Sequence, residues 1–260
     1  MSSKAHSNLL EDYHLLSYDS LDSTNEEAKR LAYGGGSHGA VIWAKRQTAG
    51  RGRMGREWVS SEGNLYVTVL LNLNNDLEEL SQLSFVAANA VCDTLEAIVP
   101  DPKEIRCKWP NDLLFKGHKL GGILLESFVT PDEKGHNKRW IAVGVGVNID
   151  SFPEHVMYPA TCLREAGVEI ISAKIVLSRF IFNFIHNFDL WHEKGFAAIQ
   201  DSWLKRAYNL GKPIDVMMGD ESVSGIFETI DSSGRLIIKE AGGKRKTISA
   251  GDVFFEKSYA

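Results

Sequence analysis

At Asn209-Leu210-Gly211-Lys212-Pro213 the pattern of the chain changes. Beyond it come only short alternating runs: Ile214 to Met217, Ser222 to Ile230, Leu236 to Lys239, Lys246 to Ile248 and Val253 to Glu256. Alternation with a period of two marks half-buried strands. Turn signals separate the runs at Met218-Gly219-Asp220, Asp231-Ser232-Ser233-Gly234 and Ala241-Gly242-Gly243. A stretch of about fifty residues with that spacing reads as a small all-β barrel. The chain is therefore divided into residues 1–209 and 210–260.

Upstream the signals are longer and mixed. Tyr13 to Asp19, Ala40 to Arg46, Leu65 to Leu73, Ile105 to Trp109 and Lys138 to Ile149 read as strands. Asp112 to Phe115 and Leu120 to Phe128 read as a hairpin around Lys116-Gly117-His118. Asp22-Ser23-Thr24-Asn25-Glu26-Glu27 supplies capping residues and an acidic first turn for a helix running to Tyr33. Leu80 to Val99, Ser172 to Lys194 and Ala197 to Tyr208 are also helical, the first ended by Pro100 and Pro102.

The run Gln47-Thr48-Ala49-Gly50-Arg51-Gly52-Arg53-Met54-Gly55-Arg56-Glu57-Trp58 places three arginines among three glycines, in a protein of formal net charge -5. Glycines bring backbone N–H groups close to a ligand, and guanidinium forks match carboxylate and phosphate oxygens. A charge run can be a mere solvated turn. Here the arginines are spaced by glycine, and the run ends in an apolar Trp58, which favours a small anionic ligand. Gly50, Gly52 and Gly55 fit G-x-G-x-x-G, as do Gly34, Gly36 and Gly39. Neither has the strand before and helix after that a dinucleotide fingerprint needs. A kinase reading fails because no H-R-D or D-F-G follows.

The chain has 260 residues, enough for one large domain with a smaller one. No apolar run is long enough to span a bilayer, and residues 1–14 lack a signal-peptide core. A pI near 5.9 argues against general nucleic-acid binding. Cys92, Cys107 and Cys162 are far apart and form no C-x-x-C, so they read as reduced core thiols. A cytoplasmic protein is expected.

The chemistry-bearing pieces are Ser23-Thr24-Asn25, the glycine–arginine run, Lys108-Trp109-Pro110-Asn111-Asp112, Lys119-Leu120-Gly121-Gly122-Ile123-Leu124 and Gly144-Val145-Gly146-Val147-Asn148-Ile149. Their order and spacing closely resemble biotin–protein ligases, from about Tyr18 to Glu256. The combination of G-R-G-R-x-G-R-x-W, K-W-P-N-D and K-L-G-G-I-L is highly specific, whereas each alone is weak. The resemblance implies an α+β fold: a mixed β-sheet flanked by helices, of the class II synthetase and biotin ligase type, with an SH3-like C-terminal β-barrel. It implies a biotin- and ATP-binding catalytic part over 1–209. It also implies two steps: biotin and ATP form biotinyl-5′-AMP, and a carrier-domain lysine then takes the biotinyl group.

The resemblance assigns residues as follows. Ser23, Thr24, Asn25 and Gln47 match biotin contacts; Ser23 could equally be a plain helix cap. Arg51, Gly52 and Arg53 match the loop that closes over biotin and phosphate, and Arg56 and Trp58 are placed near the nucleotide. Lys119 matches the lysine that contacts the biotin carboxylate and the reacting phosphate, where a point charge offsets repulsion between two anions. Gly121 and Gly122 after it would weaken a strand unless something approaches closely. Lys108, Asn111 and Asn148 match nucleotide-side positions, and the absent side chains of Gly144 and Gly146 would open room for a ligand. Asp112 could orient the carrier lysine or help hold the Mg²⁺ that arrives with ATP; no protein-only metal site and no tightly bound prosthetic group is expected. Arg53, Asp112 and Lys119 are the catalytic candidates.

Met54 stands where some relatives carry arginine. Tyr158 to Leu163 lacks a tryptophan that some members place over adenine. The partner implied is a biotin carboxyl carrier protein or domain, with no nucleic acid or membrane partner and a monomer or homodimer as the assembly. About seventeen residues precede the first matched strand, too few for the helix-turn-helix domain that some relatives carry. A lipoate or octanoate ligase, a biotin-binding module without turnover and a DNA-binding repressor remain as alternatives. Deleting Gly211 to Ala260 is expected to lower turnover.

Overall fold

The computed structural model describes residues 13–131, 135–154, 158–169 and 171–255; residues 1–12 and Glu256, which the readings above touch, lie outside them. Seven strands form one mixed sheet: β1 (His14–Leu21), β2 (Ala40–Gln47), β3 (Leu65–Asn72), β4 (Ile105–Lys108), β5 (Asp112–Phe115), β6 (His118–Pro131) and β7 (Asn137–Val147). Their order is β1-β2-β3-β7-β6-β5-β4. Only β1 and β2 run parallel; the other neighbours are antiparallel.

Strand alternation sorts the sheet into two faces. Odd-numbered residues of β3, such as Leu65, Val67, Val69 and Leu71, enter the main core. That core is closed by α2 (Leu77–Ser81), α3 (Leu83–Glu96), α4 (Ala173–Lys194) and α5 (Phe196–Arg206). The even-numbered residues face the other way, where α1 (Thr24–Tyr33) packs Ala28 and Ala32 on Ile42, Leu70, Trp140 and Ala142. This helix covers only part of the face. The remainder, beyond its N-terminus, is floored by the aligned rows Tyr66–Gly146–Gly122 and Thr68–Gly144–Leu124.

The helix expected over Leu80 to Val99 begins earlier and is broken. Asp76 caps α2 by accepting from the Glu79 N–H at 2.8 Å, and a turn at Gln82 separates α2 from α3. The Gln82 side chain accepts from Trp191 Nε1 at 2.7 Å and donates to the Ser232 carbonyl at 3.0 Å.

The C-terminal strands are β8 (Pro213–Met218), β9 (Glu221–Ile230), β10 (Leu236–Lys239), β11 (Arg245–Ile248) and β12 (Asp252–Phe254). They form the expected antiparallel SH3-like unit, in the order β11-β10-β9-β8-β12. Its core is continuous with that of the larger part. Phe85 lies edge-on to Phe196 and Trp203, and Trp203 packs on Phe227. Trp109 Nε1 donates to the Gly234 carbonyl at 2.9 Å. No helix of the described residues is long and apolar enough to cross a membrane. All three cysteines are free and buried, with Cys92 Sγ 3.4 Å from Cys107 Sγ.

Candidate active site

The uncovered floor of the sheet is the base of a cavity of about 220 Å³. Ser23, Thr24, Asn25, Gln47, Arg51, Gly52, Arg53, Arg56, Trp58, Lys108, Asn111, Asp112, Lys119 and Asn148 all line it, so the residues singled out in the sequence converge on one place.

The end beneath α1 is a polar network. Ser23 takes the extended N-cap conformation, yet its side chain makes no capping bond. Gln47 Oε1 instead accepts from the Thr24 N–H at 2.8 Å and from Thr24 Oγ1 at 3.1 Å. Asn25 is almost fully engaged: its Nδ2 donates to Glu126 Oε2 at 2.7 Å and to the Leu124 carbonyl at 3.4 Å. Thr68 Oγ1 lies 2.6 Å from Asn25 Oδ1 and 2.8 Å from Thr24 Oγ1, with one proton to give. Thr68 is fully buried and sequence reasoning missed it. Its signal was present: a threonine hydroxyl inside the apolar run Leu65-Tyr66-Val67-Thr68-Val69-Leu70-Leu71 has to find a partner.

The glycine–arginine run forms a tight hairpin. The Gly52 N–H donates to the Arg56 carbonyl at 2.7 Å and the Trp58 N–H to the Gly50 carbonyl at 2.9 Å. A side chain on Gly50 would collide with the Trp58 carbonyl and Ser60 Oγ. The returning arm lays the Trp58 indole across the sheet. A Cβ on Gly146 would sit 2.7 Å from Trp58 Nε1, and one on Gly122 3.2 Å from its ring. This corrects the reading of the β7 glycines: the space at Gly144 is filled by Asn25 and that at Gly146 by Trp58. Gly122 does serve a close approach, by Trp58. The indole Nε1–H of Trp58 is buried with no hydrogen-bond partner among the described residues.

The three loop arginines have different fates. Arg51 pairs with Glu26 at 2.5 Å and Glu126 at 3.0 Å. Arg56 pairs with Asp252 of β12. Arg53 makes no ion pair among the described residues and donates only to Asn111 Oδ1 at 3.2 Å, while burial pulls its guanidinium below its ordinary pKa. Lys108, only 6% exposed, likewise lacks an ion pair; its ammonium lies 3.9 Å from the Tyr158 ring centroid, and burial lowers its pKa. Burial pushes the Tyr158 phenol up to about 12, and its hydroxyl has no hydrogen-bond partner among the described residues. Arg56 holds Asp252 below its ordinary 3.8 against the opposing effect of burial.

Lys119 owes its direction to an irregular strand. β5 and β6 pair Leu114 with Lys119 but Leu113 with Gly121, so Leu120 is an extra residue, a bulge that re-aims its neighbour. The Lys119 backbone also bridges to Ala160, accepting from the Thr161 N–H at 2.9 Å and donating to the Pro159 carbonyl at 2.7 Å. Its ammonium reaches Asp112 Oδ1 at 2.6 Å and lies 5.4 Å from the Trp58 ring. Asn111 Nδ2 donates to the Ile123 carbonyl at 2.6 Å, and Asn148 Nδ2 to the Thr161 carbonyl at 3.0 Å. Asn148 thus fastens the 158–163 segment to the end of β7. Glu126 and Asp252 join Thr68 as site residues that sequence reasoning missed, whereas Tyr158 lies in a segment it had singled out.

A mixed sheet whose uncovered end carries the buried Lys108 and the half-buried Arg53, neither with an ion pair among the described residues, defines an anion-activating catalytic domain with an SH3-like appendage. The profile of the biotin/lipoate A/B protein ligase family matches residues 18–148, and that of the biotin protein ligase C-terminal domain matches residues 210–256. The chain belongs to the biotin/lipoate A/B protein ligase family. It is 39% identical to a biotin–[acetyl-CoA-carboxylase] ligase of Paracoccus denitrificans over 90% of this chain and 97% of that one. It is 32% identical to a bifunctional ligase/repressor of Bacillus subtilis over 91% of this chain and 73% of that one. Among solved structures it resembles the biotin protein ligase of Aquifex aeolicus in complex with biotin and ATP, with a TM-score of 0.77, 31% identity, and coverage of 93% of this chain and 97% of that one.

Proposed function

We propose that this chain joins biotin to ATP and passes the biotinyl group to a lysine of a biotin carboxyl carrier protein or domain. The observation that carries this reading is Arg53 and Lys108, two cations in one cavity with no ion pair among the described residues. A carboxylic acid and a triphosphate, brought together, need such charges.

The polar end beneath α1 suits the ureido ring, with the Ser23 hydroxyl and the remaining Oδ1 capacity of Asn25 as partners. The valeryl carboxylate then points past the Trp58 ring toward Lys119. In the first step a carboxylate oxygen forms a bond to the α-phosphorus, and pyrophosphate leaves with the electrons of the broken P–O bond. Lys119 and Arg53 stabilise the charge on the phosphoryl oxygens, and Lys108 and Arg56 serve the polyphosphate. The Gly50–Trp58 hairpin keeps water from the mixed anhydride. In the second step the carrier amine forms a bond to the acyl carbon and AMP departs. Asp112, held by Lys119 now, is the group that orients the incoming amine and takes its proton.

Mg²⁺ favours one or two carboxylates plus phosphate oxygens. Asp112 fits that donor set, with Asp252 nearby; the ion would neutralise phosphate charge. Asn111, Asn148 and Trp58 border the nucleotide, and Tyr158 offers an aromatic face to the adenine beside Lys108. The boundary near Asn209 separates the two parts, and Asp252 lets the smaller part complete the site.

The test is mass spectrometry of an unmodified carrier domain incubated with this protein and MgATP, with biotin, lipoate and octanoate offered separately. An ATP-dependent gain of the biotinyl mass on one lysine is expected. A gain with lipoate or octanoate alone would overturn the choice of acid. No gain, together with no biotin-dependent ATP–pyrophosphate exchange, would overturn the reaction.

A further inference from the structure

Glu126 stands outside every motif considered so far, yet it touches two parts of the site at once. It lies on the floor face of β6, in register with Ala142 and two residues beyond Leu124. Its Oε2 accepts from Asn25 Nδ2 at 2.7 Å, and its Oε1 and Oε2 accept from Arg51 Nη2 at 3.0 and 3.1 Å. Asn25 is 4% exposed and Thr68 fully buried, so this carboxylate is the outer end of a chain that runs inward through Asn25 to Thr68, Thr24 and Gln47.

We propose that Glu126 is a positioning residue: one carboxylate that fixes the amide of Asn25 and anchors Arg51, so that recognition of the acid and docking of the glycine–arginine hairpin share a single support. The claim about the acid rests on the function proposed above; the claim about the hairpin does not.

Three features support the coupling. Asn25 has two amide protons, both used, and losing the stronger acceptor would free its amide to turn. Oδ1, which Thr68 approaches at 2.6 Å, would turn with it and alter what Asn25 presents to the cavity. Arg51 follows Gly50, the residue packed against the Trp58 carbonyl and Ser60, so a guanidinium held at Glu126 also fixes where the hairpin leaves β2. Glu26 meets the same Arg51 nitrogen from α1 but has no hydrogen bond to Asn25, so it shares the anchoring and not the coupling. An isolated exposed ion pair contributes little, whereas a carboxylate that also satisfies a buried amide is costly to lose.

The two halves separate by substitution. Glu126→Gln keeps an oxygen for Asn25 and removes the charge that Arg51 needs; Glu126→Ala removes both. Trypsin cleavage after Arg51, Arg53 and Arg56 in the ligand-free protein, read by mass spectrometry, should quicken about threefold in both variants, the scale of an exposed ion pair. Escape of adenylate, read as AMP formed with biotin and no carrier, should rise in both. The KM for biotin in pyrophosphate exchange should stay within about twofold for Glu126→Gln and rise about tenfold for Glu126→Ala, the usual scale for a lost hydrogen bond to a charged group. Glu228→Gln, which breaks the exposed pair with Arg245 far from the cavity, should change none of these.

Unchanged cleavage and unchanged KM in both Glu126 variants would overturn the proposal. So would equal KM values for Gln and Ala, or melting temperatures that fall with no change in cleavage or escape, which would mark a purely structural carboxylate. A wild-type protein inactive with biotin would defeat the adenylation reading alone, because the cleavage comparison needs no acid.

Discussion

Lys119 and Thr68 show how single side chains acquire roles from where the backbone puts them. Lys119→Ala should lower biotin-dependent pyrophosphate exchange by about 10²- to 10³-fold, as losing one preorganised charge donor does. Its melting temperature should move little, because the side chain is partly exposed; a large fall would mark a structural lysine. Thr68→Val keeps the shape of the buried side chain and deletes the donor beneath Asn25, so the KM for biotin should rise while the fold stays cooperative. Isothermal titration with biotin measures this directly, and unchanged affinity would mean that Asn25 is held without it. Asp252 gives the pH dependence. Its folded pKa is lowered below 3.8, so the stability from its pair with Arg56 is present above that value and is lost as pH falls through the folded one. The melting-temperature gap between wild type and Asp252→Asn should hold from about pH 7 down to about pH 4 and close below it. Lys119, Arg53 and the Ser23-Thr24-Asn25 segment were legible because their motifs are local. Thr68, Glu126 and Asp252 were not, because each gains its meaning from a partner in a distant segment.

At the scale of elements, the sheet carries the site because glycines on this face let Asn25 and Trp58 lie close against it. Gly146 admits the Trp58 ring, so Gly146→Ala should lift the indole and unseat the hairpin. Trypsin cleavage within 51–57 would then quicken, and exchange activity would fall with it; an alanine variant with the loop still protected would show that the ring can shift aside. Strand alternation and turn residues made nearly every strand readable, including Asp112–Phe115 and Leu236–Lys239 at their observed limits. Periodicity could not show the break between α2 and α3. Gln82 continues a helical pattern in the sequence and keeps helical backbone angles at the break, where its side chain serves Trp191 and Ser232. Nor could periodicity show the bulge at Leu120, since one extra residue in a strand leaves alternation looking merely imperfect.

For the whole molecule, the change of pattern near Pro213 correctly announced a second architectural unit but said nothing about its attachment. Trp109, Phe85 and Trp203 are each under 5% exposed, and all three pack at the junction with the SH3-like part. Burial of such side chains contributes roughly 2 kcal/mol each, a large share of the 5–15 kcal/mol that holds a typical domain together. Deleting Gly211 to Ala260 should therefore do more than lower turnover. The shortened chain should lose its sharp thermal transition and its near-ultraviolet circular dichroism, and a cooperative, biotin-binding truncation would show that the junction is dispensable. The pair between Arg56 and Asp252 spans 196 residues of chain. A ribosome making this protein releases the arginine hairpin long before the carboxylate that receives it. Nascent chains halted short of residue 252 would carry the acid-recognition end of the pocket without this fastening, and the site would reach its finished form only when that last strand emerges.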